Sequence, residues 1–128
     1  MNRILIVDDN ADVLQVMQLL LSSRGYEVDV TTKGEETYMK TEIFDPNLIF
    51  LDIHLGGMDG RDICKTLKLN EETSHIPVIL FSANNIKDNL FTEALADEFI
   101  AKPFDIHDLL SKVDKLIGIA GPPQSASA

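Results

Sequence analysis

The chain has 128 residues, 45% of them hydrophobic, which is enough for one domain with a real core and too little for two ordinary ones. A formal charge of −10 argues against phosphate-backbone binding as the main activity, because nucleic-acid affinity rests on clustered Lys and Arg; a cationic partner surface or a bound cation fits better. The lone Cys64 excludes an internal disulfide framework, and no apolar run approaches the roughly 20 residues needed to cross a bilayer. With no signal-like segment at Met1-Asn2-Arg3, the chain is expected to be cytoplasmic, with no membrane partner.

Strand-like runs recur at Ile4–Val7, Val28–Val30, Leu48–Leu51, Val78–Phe81 and Phe99–Ala101, separated by segments with helical spacing. This alternation predicts an α/β fold with parallel strands, right-handed crossovers and helices on both faces. After the first strand, Asn10 is placed to cap a helix whose Val13, Met17, Leu20 and Leu21 form an apolar stripe, and Gly25 is placed to end it. The second strand carries Glu27 and Asp29, which predicts an edge position. A weaker helix between Gly34 and Phe44 is expected to turn Tyr38, Met39, Ile43 and Phe44 inward, and Asp45-Pro46 closes it.

The third run, Leu48-Ile49-Phe50-Leu51, is continuously apolar, as a strand covered on both faces must be. Asp52 and a break rich in Gly56, Gly57 and Gly60 follow it. Ile63, Cys64 and Leu67 then form a short helix face, and Ile76-Pro77 leads into the fourth strand. A helix over Asn85 to Leu95 is the least defined. The last helix repeats Ile106, Leu109, Leu110, Val113, Leu116 and Ile117 at 3.6-residue spacing, with Asp105 as its cap. The domain is expected to span 1–117; residues 118–128 lose charge and periodicity together and read as a disordered tail or cloning remnant.

Four strand ends carry polar residues in an otherwise apolar frame: Asp8-Asp9, Asp52, Ser82 and Lys102. Parallel strands end at one rim, so these groups should converge, and in open α/β sheets that rim is where ligands bind. Carboxylates crowded to about 4 Å repel by roughly 4 kcal/mol per pair even at an effective dielectric near 20. Such a cluster calls for a cation, and carboxylates with water and phosphate oxygens suit Mg²⁺. A carboxylate can also attack phosphorus, and the transferred group calls for a metal, an ammonium and a hydroxyl around its oxygens.

The pieces ILIVDDN, LIFLDIHLGGMDG, IPVILFSA and DEFIAKPF, in that order, resemble a two-component response-regulator receiver domain over nearly all of residues 2–117. The resemblance implies a five-stranded sheet of flavodoxin-like order 2-1-3-4-5 with five helices. It makes Asp52 the phosphoacceptor, with Asp8, Asp9, Asp52 and the backbone carbonyl of His54 holding Mg²⁺. Lys102 would pair with the phosphoryl group and Ser82 would hydrogen-bond it. Phe99 would turn inward as Ser82 moves, changing the surface of the fourth helix, fifth strand and fifth helix, and Lys102-Pro103 would be cis. The implied donor is a histidine kinase or histidine phosphotransfer protein; the downstream protein target is not named by the sequence, and nucleic acid is not expected to be bound by this domain. The chain would catalyse only its own phosphorylation and dephosphorylation.

Departures from the family pattern point to an atypical output surface: Leu95 stands at a common glycine, and the Ser82–Lys102 interval is short. Gly56 replaces a frequent proline, which implies a looser loop after Asp52. Plainer roles are open to the same residues. Asp52 could cap a turn, Asp8-Asp9 could cap a helix, and Lys102 and Ser82 could be ordinary surface groups. The side chains of His54, His75 and His107 are expected at the surface, and Cys64 as a structural helix residue. Against an enzyme turning over phosphoesters, this sequence has His54 where a second catalytic aspartate would stand, and against a flavin carrier it has no tryptophan to stack on the ring.

Overall fold

The computed structural model describes residues 2–82 and 93–120. Five strands, β1 (Arg3–Val7), β2 (Glu27–Thr31), β3 (Leu48–Asp52), β6 (Val78–Ser82) and β7 (Glu98–Ala101), form one sheet in the order β2-β1-β3-β6-β7. Every pairing in it is parallel. Counted along the five strands alone, this is the order 2-1-3-4-5, and it puts β3 in the centre. The continuous apolar run of β3 has that cause: all five of its residues are buried, against only Thr31 in the edge strand β2.

Alternation along the strands divides the core into two layers. Ile4, Ile6, Leu48, Phe50, Ile79, Phe81 and Ile100 meet Leu14, Met17 and Leu21 of α1 (Ala11–Ser23) and Leu109, Val113 and Leu116 of α4 (Ile106–Ala120). On the other side, Leu5, Val7, Ile49, Leu51 and Leu80 meet Ile63, Cys64 and Leu67 of α3 (Gly60–Leu69). Asn10 caps α1 by accepting from the N–H groups of Asp12 and Val13, Gly25 takes φ +93° beyond its end, and Asp105 caps α4 by accepting from His107 and Asp108. The Asn85–Leu95 helix falls largely outside the described residues, among which there are four α-helices.

Three local expectations need correction. In α2 (Thr37–Phe44), Tyr38, Met39 and Ile43 face solvent, Ile43 at 76% exposure. The inward face is Thr37, Thr41 and the half-buried Phe44; Thr41 can be buried because its hydroxyl donates to the Thr37 carbonyl one turn back. Ile106, the first residue of α4, is exposed rather than packed. The segment after Asp52 is no loose loop: β4 (His54–Leu55) and β5 (Met58–Asp59) pair as an antiparallel hairpin around Gly56-Gly57, with Gly56 at φ +63°. In addition, α4 runs to Ala120, while residues 121–128 lie outside the described residues.

Candidate functional site at the carboxyl rim

The sheet register decides which strand ends meet. Val7 pairs with Leu51, so Asp8 and Asp52 leave adjacent strands side by side; Asp52 pairs with Phe81, one residue before Ser82. On the far side Ser82 pairs with Ala101, and the Lys102 N–H donates to the Ser82 carbonyl. Alternation then places Asp8, Asp52 and Lys102 on the α1/α4 side of the sheet and Ser82 on the other. Gly60 locks the exit of β3: its N–H donates to the Ile53 carbonyl at 2.8 Å, and a Cβ at this position would stand 2.0 Å from the Asp52 carbonyl oxygen. No larger residue fits there without moving the phosphoacceptor candidate.

Asp8, Asp52 and Ser82 are buried, whereas Asp9 is exposed. The Lys102 ammonium lies 2.7 Å from Asp8 and 3.6 Å from Asp52, and 4.7 Å from the centre of the Phe81 ring. Asp8 also accepts from the Asn10 N–H at 2.9 Å. One lysine thus faces two buried carboxylates. The pKa of Asp52 is pushed up to about 6, first by burial and then by the negative charge of Asp8, against which Lys102 and the His54 N–H pull down.

The Asp8, Asp9 and Asp52 side chains each offer an oxygen within 4.8 Å of the others. Opposite ligands of an octahedral Mg²⁺ at about 2.1 Å stand roughly 4.2 Å apart, so the donor set fits a small divalent cation completed by water. The exposed His54 imidazole is not part of the cluster. His75 and His107 are exposed as expected, and burial pushes the Cys64 thiol up to about 12, which keeps it protonated at neutral pH. Lys102-Pro103 is cis, and Leu95 adopts φ 65°. That is the left-handed region, which a glycine enters without the strain that a leucine side chain brings.

Phe81 is the rim residue that reading the sequence for polar groups passes over. Alternation within β6 gives no signal for it, because only the register, which pairs Phe81 with Asp52, puts the ring on the face of that carboxylate.

The sequence matches the family described as response regulator receiver domain over residues 4–114. The DNA-binding dual master transcriptional regulator RpaA of Synechocystis is 33% identical over 119 residues, 91% of this chain and 49% of that protein. The chain therefore spans about half the length of the curated relatives it matches. Among solved structures, a CheY-like receiver domain protein from Methanospirillum hungatei superposes with a TM-score of 0.86 at 29% identity, covering 94% of this chain and 96% of that one. The receiver domain of the sensor histidine kinase PA1611 from Pseudomonas aeruginosa, which has a magnesium ion coordinated in its active site cleft, gives 0.82 at 26% identity over 91% and 98%. This chain belongs to the response regulator receiver domain family.

Proposed function

We propose that this chain is a phosphoacceptor in a phosphorelay, taking a phosphoryl group onto Asp52 in a Mg²⁺-dependent reaction with a histidine kinase or histidine phosphotransfer protein. The observation that carries this reading is the convergence of Asp8, Asp9, Asp52 and Lys102 at one rim. An ionised Asp52 oxygen attacks phosphorus; the new O–P bond forms as the P–N bond of phosphohistidine breaks, its electron pair staying on the imidazole. With small phosphodonors such as acetyl phosphate the P–O bond breaks instead.

Asp8, Asp9, Asp52 and the His54 carbonyl would hold Mg²⁺, which supplies charge neutralisation at the phosphoryl oxygens when bound. Lys102 brings a second positive charge to the same oxygens, and its ammonium is already within 3.6 Å of Asp52. Ser82, which leaves β6 on the opposite face, moves to donate its hydroxyl to the phosphoryl group. Phe99, half-buried on β7, turns inward with Ser82 and alters the surface formed by the expected Asn85–Leu95 helix, β7 and α4, and so changes partner binding. The chain modifies only itself and turns over no external substrate. A cytoplasmic location accords with this chemistry; no helix among the described residues is long and apolar enough to cross a membrane.

Incubation with acetyl phosphate and Mg²⁺ followed by intact mass measurement tests this function. An addition of about 80 Da that is absent in Asp52→Asn is expected for an aspartyl phosphate. No addition, or one that survives the substitution, defeats the reading.

A further inference from the structure

Lys102 follows β7, yet its ammonium lies against carboxylates that leave β1 and β3, on the far side of β6. At about 4.8 Å between strands, the lysine stem must cross the full width of β6 to get there. The β6 residue beneath it is fixed by register: Phe81 pairs with Asp52 on one side and Ile100 on the other, and alternation turns its side chain to the face of Asp52 and Lys102. The ring is only 1% exposed and meets Phe50 edge to face, with centroids 5.9 Å apart and planes at 89°. Held this way, it presents its face to the Lys102 ammonium at 4.7 Å, and the lysine side chain is itself only 16% exposed. A cation within about 6 Å of an aromatic face is attracted by the ring's negative quadrupole, most strongly where water is excluded.

We propose that Phe81 is a positioning residue for phosphoryl transfer: its ring face holds the Lys102 ammonium at the edge of the carboxylate cluster, so that positive charge is in place before the phosphodonor arrives. The inference rests on the phosphoacceptor reading above and adds a residue to it. An aliphatic side chain of similar volume would fill the core equally well, but it would leave the ammonium held by the Asp8 and Asp52 carboxylates with nothing beneath it to fix its place.

Two variants separate positioning from packing. Replacement of Phe81 by a trifluorinated phenylalanine keeps the ring's shape and drains the charge from its face; Phe81→Leu removes the ring. The initial rate of Asp52 phosphorylation by acetyl phosphate at saturating Mg²⁺ should fall about 3- to 10-fold in the fluorinated chain and at least as far in Phe81→Leu. Mg²⁺ affinity should stay within about twofold of the original, since the ring offers no oxygen or nitrogen to ligate the ion. A fluorinated chain phosphorylated at the unmodified rate overturns the proposal. Proton spectra of the Lys102 ε-methylene provide a readout independent of phosphorylation: the ring current should shift it upfield, and Phe81→Leu should abolish that shift. A Lys102 signal with no upfield shift overturns the proposal even where phosphorylation proceeds, whereas a shifted signal in a chain that takes no phosphoryl group would count against the phosphoacceptor reading alone.

Discussion

The carboxyl rim of the sheet and the outer face of α2 both invert the usual pattern of burial, in opposite senses. At the rim, Asp8 and Asp52 are buried; on α2, Ile43 and Met39 stand in solvent. The two inversions differ in cost. Over half of a folded protein's surface is apolar in any case, so an exposed isoleucine needs no compensation. A buried carboxylate loses its hydration and keeps its charge only with partners, and two beside one ammonium are under-compensated. The raised pKa of Asp52 follows from that shortfall, first through burial and then through the charge of Asp8. An expensive arrangement that survives in a fold is informative about function; a cheap one is not.

Substitutions at the two regions sharpen the contrast, and the largest effect is expected at Gly60. Because an added Cβ would lie 2.0 Å from the Asp52 carbonyl, Gly60→Ala should lower stability in chemical denaturation by about 3 kcal/mol or more, and backbone movement should slow phosphorylation with it. Full stability in that variant would mean that the exit of β3 is more plastic than its hydrogen bond implies.

Asp52→Asn should have a smaller effect of opposite sign. The folded-state pKa of Asp52 lies near 6, above its ordinary value of 3.8, so the protonated form favours the fold and stability is lost as pH rises between those values. In buffer with a chelator, Asn at this position should therefore raise stability by on the order of 1–3 kcal/mol above about pH 6 and bring no gain below about pH 4. A gain independent of pH would detach the effect from Asp52 ionisation. At the other extreme, Ile43→Ser should change stability by no more than about 0.5 kcal/mol. A larger loss would show that the outer face of α2 is covered by something, and the contrast between the two regions would collapse.

The strands were legible because both faces of a parallel sheet are covered, which forces runs such as Leu48–Leu51 to be wholly apolar. The rim was legible because charged residues directly after such runs gain nothing from packing and sit where a parallel sheet gathers its strand ends. Legibility failed where side-chain names and roles part company. Thr41 is polar by name but donates its hydroxyl to the Thr37 carbonyl within the helix, so it can be buried while Met39 and Ile43 are exposed; the Thr37 hydroxyl is buried with no such bond. The β4–β5 hairpin has strands of two residues, too short for any periodicity to register, although Gly56-Gly57 between them is a turn signal. Phe81 looked like ordinary core because an aromatic that cups a cation and one that only fills space share the same apolar run. Only the register, which sets Phe81 beside Asp52, tells them apart.

The central claim is that residues from four strand ends act as one cation-dependent phosphoryl pocket, and backbone and side-chain NMR spectra with and without beryllofluoride and Mg²⁺ test it most directly. Beryllofluoride added with Mg²⁺ should shift the resonances of Asp8, Asp9, Asp52, Ser82 and Lys102 together, and carry the change to Phe99 on β7, while either addition without the other should fall short of that response. Spectra in which these residues respond separately, or not at all, would contradict the account.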